Sequence, residues 1–157
     1  MSDMLVKLYD LPQTDIFAKI RDQNVTLRPA MAPEKHLVCA WVNKHFNQDW
    51  VSEVEVAFSR QPVSVYIAVN EDDKMLGFAC YDTTARGFFG PTGVDEAERG
   101  KGIGEALLLK CLHTMREIGY GYAIIGWAGP TGFYAKKIGA TIIEDSEPGV
   151  YKGLIKG

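Results

Sequence analysis

Residues 88 to 104 read Phe88-Phe89-Gly90-Pro91-Thr92-Gly93-Val94, then four connecting residues, then Arg99-Gly100-Lys101-Gly102-Ile103-Gly104. Phe88 to Val94 reads as a strand. Glu105 to Ile118 reads as the clearest helix in the chain. Ile103, Leu107, Cys111 and Ile118 lie along one stripe of it, with Leu108, Leu112 and Met115 beside them. Gly119 stops the helix. Tyr122 to Trp127 is then an apolar run of the buried-strand type. A strand, a helix and a strand in that order predict a right-handed crossover joining a parallel pair. The glycine loop falls where the first strand gives way to the helix. The first N–H groups of a helix have no internal partner, and the helix dipole adds partial positive charge there. Glycines let a phosphate approach the backbone without meeting a Cβ, and Arg99 and Lys101 add full charges. The loop therefore reads as an anion cradle suited to phosphate or pyrophosphate. It is not a dinucleotide fingerprint, because Glu105 stands three residues after Gly102. It is not a P-loop, because Lys101 is followed by Gly102.

Upstream, Val63 to Val69, Met75 to Tyr81 and Phe88 to Val94 are three strands joined by short turns, which predicts an antiparallel meander. Before them come a short strand at Met4 to Leu8 and a short helix at Asp15 to Asp22 capped by Thr14. A strand at Val25 to Arg28, a helix from Pro33 to about Lys44, and a helix capped by Ser52 and ending near Arg60 follow. Downstream, a short helix at Thr131 to Ile138 ends at Gly139, and strands at Ala140 to Glu144 and Val150 to Ile155 close the chain. None of the 16 glycines precedes Gly77, and 12 lie between Gly87 and Gly139, so tight backbone geometry is concentrated in the second half. The fold class is α/β (α+β): one domain with a mixed central sheet, an antiparallel meander and a βαβ-type crossover. Residues 1–24 are expected as an extension packed on or near a domain of residues 25–157.

At 157 residues the chain suits one domain, and 46% hydrophobic with 24% charged residues is a globular balance that excludes a disordered chain. The net charge of −3 argues against nucleic-acid binding driven by charge. No apolar run approaches the roughly 18 residues of a membrane span. Met1 to Leu11 carries acids and lacks the apolar core of a secretory signal. Cys39, Cys80 and Cys111 are odd in number, widely spaced and without a CxxC pair, and no two histidines stand at i, i+4. The expectation is a cytoplasmic protein with reduced cysteines and no metal. Leu5 to Leu8 offer a strand that could join a partner's sheet in a homodimer.

Val94, a four-residue gap, and Arg99-x-x-Gly102-x-Gly104 resemble the acyl-CoA-binding signature of the GNAT acetyltransferase superfamily. Gly132-Phe133-Tyr134-Ala135-Lys136-Lys137-Ile138-Gly139-Ala140 resembles that family's second motif, an aromatic–Tyr–x–Lys helix ending in Gly. The order of elements from about Val25 to Ile155 is similar as well. The resemblance implies an acetyl-CoA-dependent N-acetyltransferase. It implies that the strands Phe88–Val94 and Tyr122–Trp127 splay to admit the cofactor. Arg99, Gly100, Lys101, Gly102, Ile103 and Gly104 would hold the pyrophosphate. Thr92, Gly93 and Val94 would pair their backbone with the pantetheine arm, and the Val94 N–H would polarise the thioester carbonyl. Tyr134 would stand near the thioester sulfur as general acid. The chain departs from the family pattern at Trp127, where an Asn is usual, and at Pro130, where an Ala is usual.

A phenol with an ordinary pKa of about 10 can protonate a thiolate whose acid has a pKa of about 8.5, so Tyr134 suits that role chemically. For the general base, Glu53, Glu55, His45, Asp82 and Asp95 all remain open. By analogy with the family, the acceptor pocket lies over the Pro33–Arg60 helices. Trp41, Phe46, Trp50 and Phe58 would line it, and Asp49, Glu53 and Glu55 would attract a small-molecule or peptide amine. The cysteines receive no catalytic role, since no histidine pairs with them in any motif. Two other functions fit the same loop: a non-catalytic acyl-CoA-binding or regulatory domain, and a phosphate or nucleotide binder using the cradle alone.

Overall fold

A computed structural model describes all 157 residues. The elements in chain order are β1 (Met4–Lys7), α1 (Ile16–Arg21), β2 (Thr26–Pro29), α2 (Lys35–His45), α3 (Gln48–Ser59), β3 (Val65–Val69), β4 (Met75–Tyr81), β5 (Phe88–Val94), α4 (Ile103–Glu117), β6 (Tyr122–Ile125), α5 (Thr131–Ile138) and β7 (Thr141–Ile142). They build one seven-stranded sheet in the order β2-β3-β4-β5-β6-β1-β7. The expected meander is present, with β2, β3, β4 and β5 successively antiparallel. The expected crossover is present too, since β5, α4 and β6 follow in sequence and β5 pairs with β6 in parallel.

The two sheet faces carry separate cores. On one face α4 inserts Ile103, Leu107, Leu108, Leu112 and Met115, all essentially inaccessible, against Ala79, Phe89, Ala123 and Ile125. Each large side chain buried this way contributes on the order of 1.5–3 kcal/mol of transfer free energy. The opposite face packs Val38 and Val42 of α2 and Val51, Val54 and Ala57 of α3 against Val65, Ile67, Phe78 and Cys80. The period-2 alternation of the central strands explains why both helix layers find an apolar face.

Three expectations are corrected. The second helix starts earlier than Ser52: Asn47 is the N-cap and accepts a bond from the Trp50 N–H at 2.9 Å. The final strand, Val150 to Ile155, does not form. Gly149 and Gly153 take φ of +62° and +80°, which breaks any extended run, and only a single 3₁₀ turn, Gly149–Tyr151, remains. Ala140 to Glu144 shortens to the two residues of β7.

The segment 1–24, expected as an extension packed on or near the domain, gives its first strand to the sheet itself. β1 lies antiparallel between β6 and β7, with Met4 opposite Ile125 on one edge and Ile142 on the other. Met4 and Val6 are fully buried. Met4 and Leu5 therefore have both edges paired within their own chain, and neither is free to extend another sheet. No helix is long and apolar enough to cross a membrane.

Candidate functional site

The parallel contact between β5 and β6 lasts two positions, Phe88 opposite Ile124 and Phe89 opposite Ile125. β6 then ends, and Trp127 adopts a left-handed φ of +48°. From Gly90 onward β5 keeps β4 on one edge and has no strand on the other. The gap is the mouth of a cleft of 760 Å³, within the range of small-ligand sites.

Its walls include Thr92, Gly93, Val94, Arg99, Gly100, Gly102, Ile103, Gly104 and Tyr134. Nine of the ten residues singled out in the sequence thus meet around one cavity. Lys101 is the exception. Its ammonium pairs with Glu98 at 2.5 Å, and its carbonyl accepts a bond from Gln23 Nε2 at 3.0 Å. The Ile103 side chain belongs to the core, so that residue offers the cleft only its backbone.

Two pieces of backbone geometry leave N–H donors without partners at the cleft. The Asp95 N–H donates to Leu76 O at 2.8 Å. Antiparallel alternation then turns the N–H groups of Val94 and Thr92 away from β4, toward the open edge. At the loop, Gly100 and Gly102 hold φ of +82° and +89°, conformations that favour glycine. The first helical bond of α4 runs from the Ala106 N–H to Gly102 O at 3.0 Å. The N–H groups of Ile103, Gly104 and Glu105 therefore have no partner within the helix and point out of its N-terminal end. A Cβ at Gly100 would meet nothing within 4 Å, so the space over the loop is open. The residues present fit a diphosphate.

α5 places Tyr134 on the opposite wall. Its side chain is buried, and burial alone raises the phenol above its ordinary pKa. The phenol thus keeps its proton at neutral pH. α5 ends at Gly139 with φ +66°, which terminates the helix as the sequence predicts.

The candidates for base separate clearly. Asp82 is buried and saturated: the Gly87 N–H donates to it at 2.7 Å, and the Tyr120 hydroxyl donates at 3.0 Å. Asp95 caps the Ala97 N–H at 3.0 Å. His45 stacks on Trp41 with ring centroids 4.2 Å apart. Glu55 is exposed. Glu53 is half-buried, accepts a bond from the Thr84 hydroxyl, and has its carboxyl pushed up chiefly by burial and further by Asp49. Of the aromatic residues proposed for the acceptor wall, Phe46 and Trp50 line the cleft. Trp41 is committed elsewhere, its indole N–H donating to Met75 O at 3.1 Å.

The cleft also holds residues to which the sequence reading assigned no binding or catalytic role. Trp127 lines the cleft, packs at a tilt against Tyr151 with ring centroids 4.2 Å apart and donates from Nε1 to Pro148 O at 3.2 Å. Phe133, Lys137 and Lys19 also line it. Lys19 comes from α1, far outside both motifs. Only the three-dimensional packing of α1 against the loop brings it there.

Residues 27–139 match the acetyltransferase (GNAT) family. The chain belongs to that family. Known structures agree in fold. One is a GCN5-related glucosamine N-acetyltransferase region of a fungal multidomain enzyme, at TM-score 0.75 and 15% identity, covering 90% of this chain and 19% of that one. A GCN5-related N-acetyltransferase from Sphaerobacter thermophilus follows at TM-score 0.67 and 17% identity, covering 90% and 48%. A GNAT acetyltransferase from Brucella melitensis, solved with acetyl-CoA, aligns at TM-score 0.58 and 17% identity over 76% and 86%. The chain thus spans a fifth and about half the length of the first two. No curated protein matches the sequence.

Proposed function

We propose that the chain is an acetyl-CoA-dependent N-acetyltransferase in which an amine attacks the thioester directly, within a ternary complex. The observation that carries this reading is a single cleft joining three features: the glycine cradle, the unpaired edge of β5, and the buried Tyr134 phenol. Acetyl-CoA supplies an acetyl group activated as a thioester, and the Brucella melitensis relative was solved with it.

The chain's own residues have distinct tasks. The N–H groups of Gly104 and its neighbours bind the pyrophosphate. The outward N–H groups of Thr92 and Val94 align the pantetheine arm as an added strand, and the Val94 N–H donates to the carbonyl oxygen as it gains charge. The nitrogen–carbon bond forms, the carbon–sulfur bond breaks, and Tyr134 Oη gives its proton to the departing sulfur. Glu53 does not itself line the cleft, so the proton lost by the amine reaches its carboxylate through water. Trp127, Phe133, Phe46 and Trp50 exclude water from the reacting end. The acceptor is an amine of a small molecule or peptide, and glucosamine belongs in the first panel because the fungal relative is described as acting on it.

Thiol release measured for the wild type and Tyr134→Phe across an amine panel tests this, alongside calorimetric titration with acetyl-CoA. The substitution lowers turnover by about 100-fold, the lower range for a positioned acid, and changes affinity little. Unchanged turnover removes Tyr134 from the mechanism. Binding without thiol release for any amine makes the chain an acyl-CoA-binding domain instead.

A further inference from the structure

The charges lining the phosphate end of the cleft are Lys19, Glu98, Arg99, Glu105 and Lys137. Both acids already have cations. Glu98 pairs with Lys101 at 2.5 Å, and Glu105 pairs with Lys137 at 3.7 Å. Arg99 and Lys19 have no carboxylate within ion-pair distance. Arg99 belongs to the loop motif. Lys19 does not, and it precedes the residues matched to the family.

α1 and the turn that follows it meet the loop at three points. The Ile16 side chain is buried directly against Gly102, so closely that a Cβ there would stand 2.7 Å from Ile16 Cδ1. Gln23 Nε2 bridges Lys19 O at 3.2 Å and Lys101 O at 3.0 Å. Lys19 Cδ lies 3.9 Å from the position a Gly102 Cβ would take, and Lys19 lines the cleft. A lysine stem that packs on the protein leaves its ammonium head in water, and Lys19 is exposed at the cleft.

We propose that Lys19 is a cofactor-binding residue: its ammonium pairs with the diphosphate seated on the Gly100–Gly104 loop, and α1 positions it. This rests on the acetyl-CoA reading above. The N-terminal segment then forms part of the cofactor site. It supplies a point charge where the loop supplies directed N–H donors.

The test is calorimetric titration of acetyl-CoA and of 3′-dephospho-acetyl-CoA into the full chain, as wild type, Lys19→Met and Lys19→Arg. Methionine keeps the apolar stem and removes the charge, and arginine keeps the charge. Lys19→Met is expected to weaken both ligands about tenfold, with an unchanged unfolding temperature, while Lys19→Arg stays within about threefold of wild type. Wild-type affinity in Lys19→Met overturns the proposal. Equal losses in both variants also overturn it, since charge would then not matter. A loss that disappears with the 3′-dephospho ligand moves the contact off the diphosphate and overturns the assignment. Failure of the wild type to bind acetyl-CoA at all is a different result, and it strikes the functional reading first.

Discussion

Gly102 and Gly104 sit two residues apart in one loop, yet alanine at the two positions has opposite expected effects. Gly102 holds φ +89°. A left-handed backbone costs an L-residue roughly 1–2 kcal/mol. An alanine Cβ would also stand 2.7 Å from Ile16 Cδ1, and Ile16 is only 3% exposed, so the displaced methyl has little free space. Overpacking of this kind adds about 1 kcal/mol at the low end of its range. Gly102→Ala therefore costs about 2–3 kcal/mol. Gly104 lies inside α4 without a positive φ, and its Cβ would meet only Val94 Cγ2 at an ordinary 3.5 Å. Replacing glycine by alanine in such a helical position gains roughly 0.5–1 kcal/mol.

At this chain length about 1 kcal/mol moves the unfolding midpoint by roughly 2–4 °C. Thermal unfolding should show Gly102→Ala falling by about 4–12 °C and Gly104→Ala rising by about 1–4 °C. Binding should separate them as well. The Gly102 carbonyl accepts the first helical bond of α4, so its backbone sets where the next three N–H groups point. Gly102→Ala then weakens acetyl-CoA by about tenfold or more, and Gly104→Ala changes it by less than about threefold. Equal Tm shifts of the same sign refute the backbone argument. A destabilised Gly102→Ala that binds acetyl-CoA normally refutes the cradle.

Glu34 is held by a two-pronged bond to Arg28, at 2.8 and 2.6 Å, and accepts a third bond from the Met31 N–H at 2.8 Å. The Arg28 bonds dominate in lowering its carboxyl to about 2. A depressed acid stabilises the fold above its unfolded value near 4.5 and loses that contribution as pH falls toward about 2. Both partners are partly solvated, so Glu34→Gln costs only about 1 kcal/mol at neutral pH, and urea titrations from pH 5 to 2.5 should show a shallower loss in the variant. Glu53→Gln should lower kcat/KM and remove the acidic limb of its pH profile, a limb displaced upward by burial of the carboxyl; an unchanged profile takes Glu53 out of the reaction. Burial raises the thiols of Cys80 and Cys111 and leaves Cys39 half-buried, so a thiol reagent should label Cys39 first and the other two only on unfolding, as peptide mapping would show.

The sequence makes some of this architecture readable because its signals are local. The α4 stripe, the glycine loop at its start and the Tyr134 helix ending at Gly139 each depend on neighbours within one or two turns. What escaped depends on partners far away in the chain. Met4 to Lys7 is too short to declare whether it pads the domain or enters the sheet, and only its pairing with Tyr122–Ile125 and Thr141–Ile142 decides that. Asn47 outranks Ser52 as a cap because the helix begins where the Trp50 N–H needs an acceptor. Val150 and Ile155 have strand-like character, but the glycines at 149 and 153 turn the chain between them. Lys19 looks like any solvated lysine until α1 is laid against Gly102.

The N-terminal segment acts on both rims of the cleft. On the far rim, the Asp3 carboxylate accepts the Trp127 N–H at 3.0 Å, and Ser2 O accepts the Ala128 N–H at 3.0 Å. These bonds draw the chain after β6 toward β1 and away from β5 at the point where the two parallel strands part. Asp3 is itself held, its N–H donating to Ser146 Oγ at 2.8 Å and its carbonyl accepting the Ile143 N–H at 2.9 Å. On the near rim, α1 and the turn after it brace the glycine loop through Ile16 and Gln23. The glycine loop and the Tyr134 helix both lie within the residues matched to the family. The separation between them is set in part by residues that precede that match. A short strand whose first two residues are paired on both edges is a rigid anchor for this purpose, because moving it would break two ladders at once.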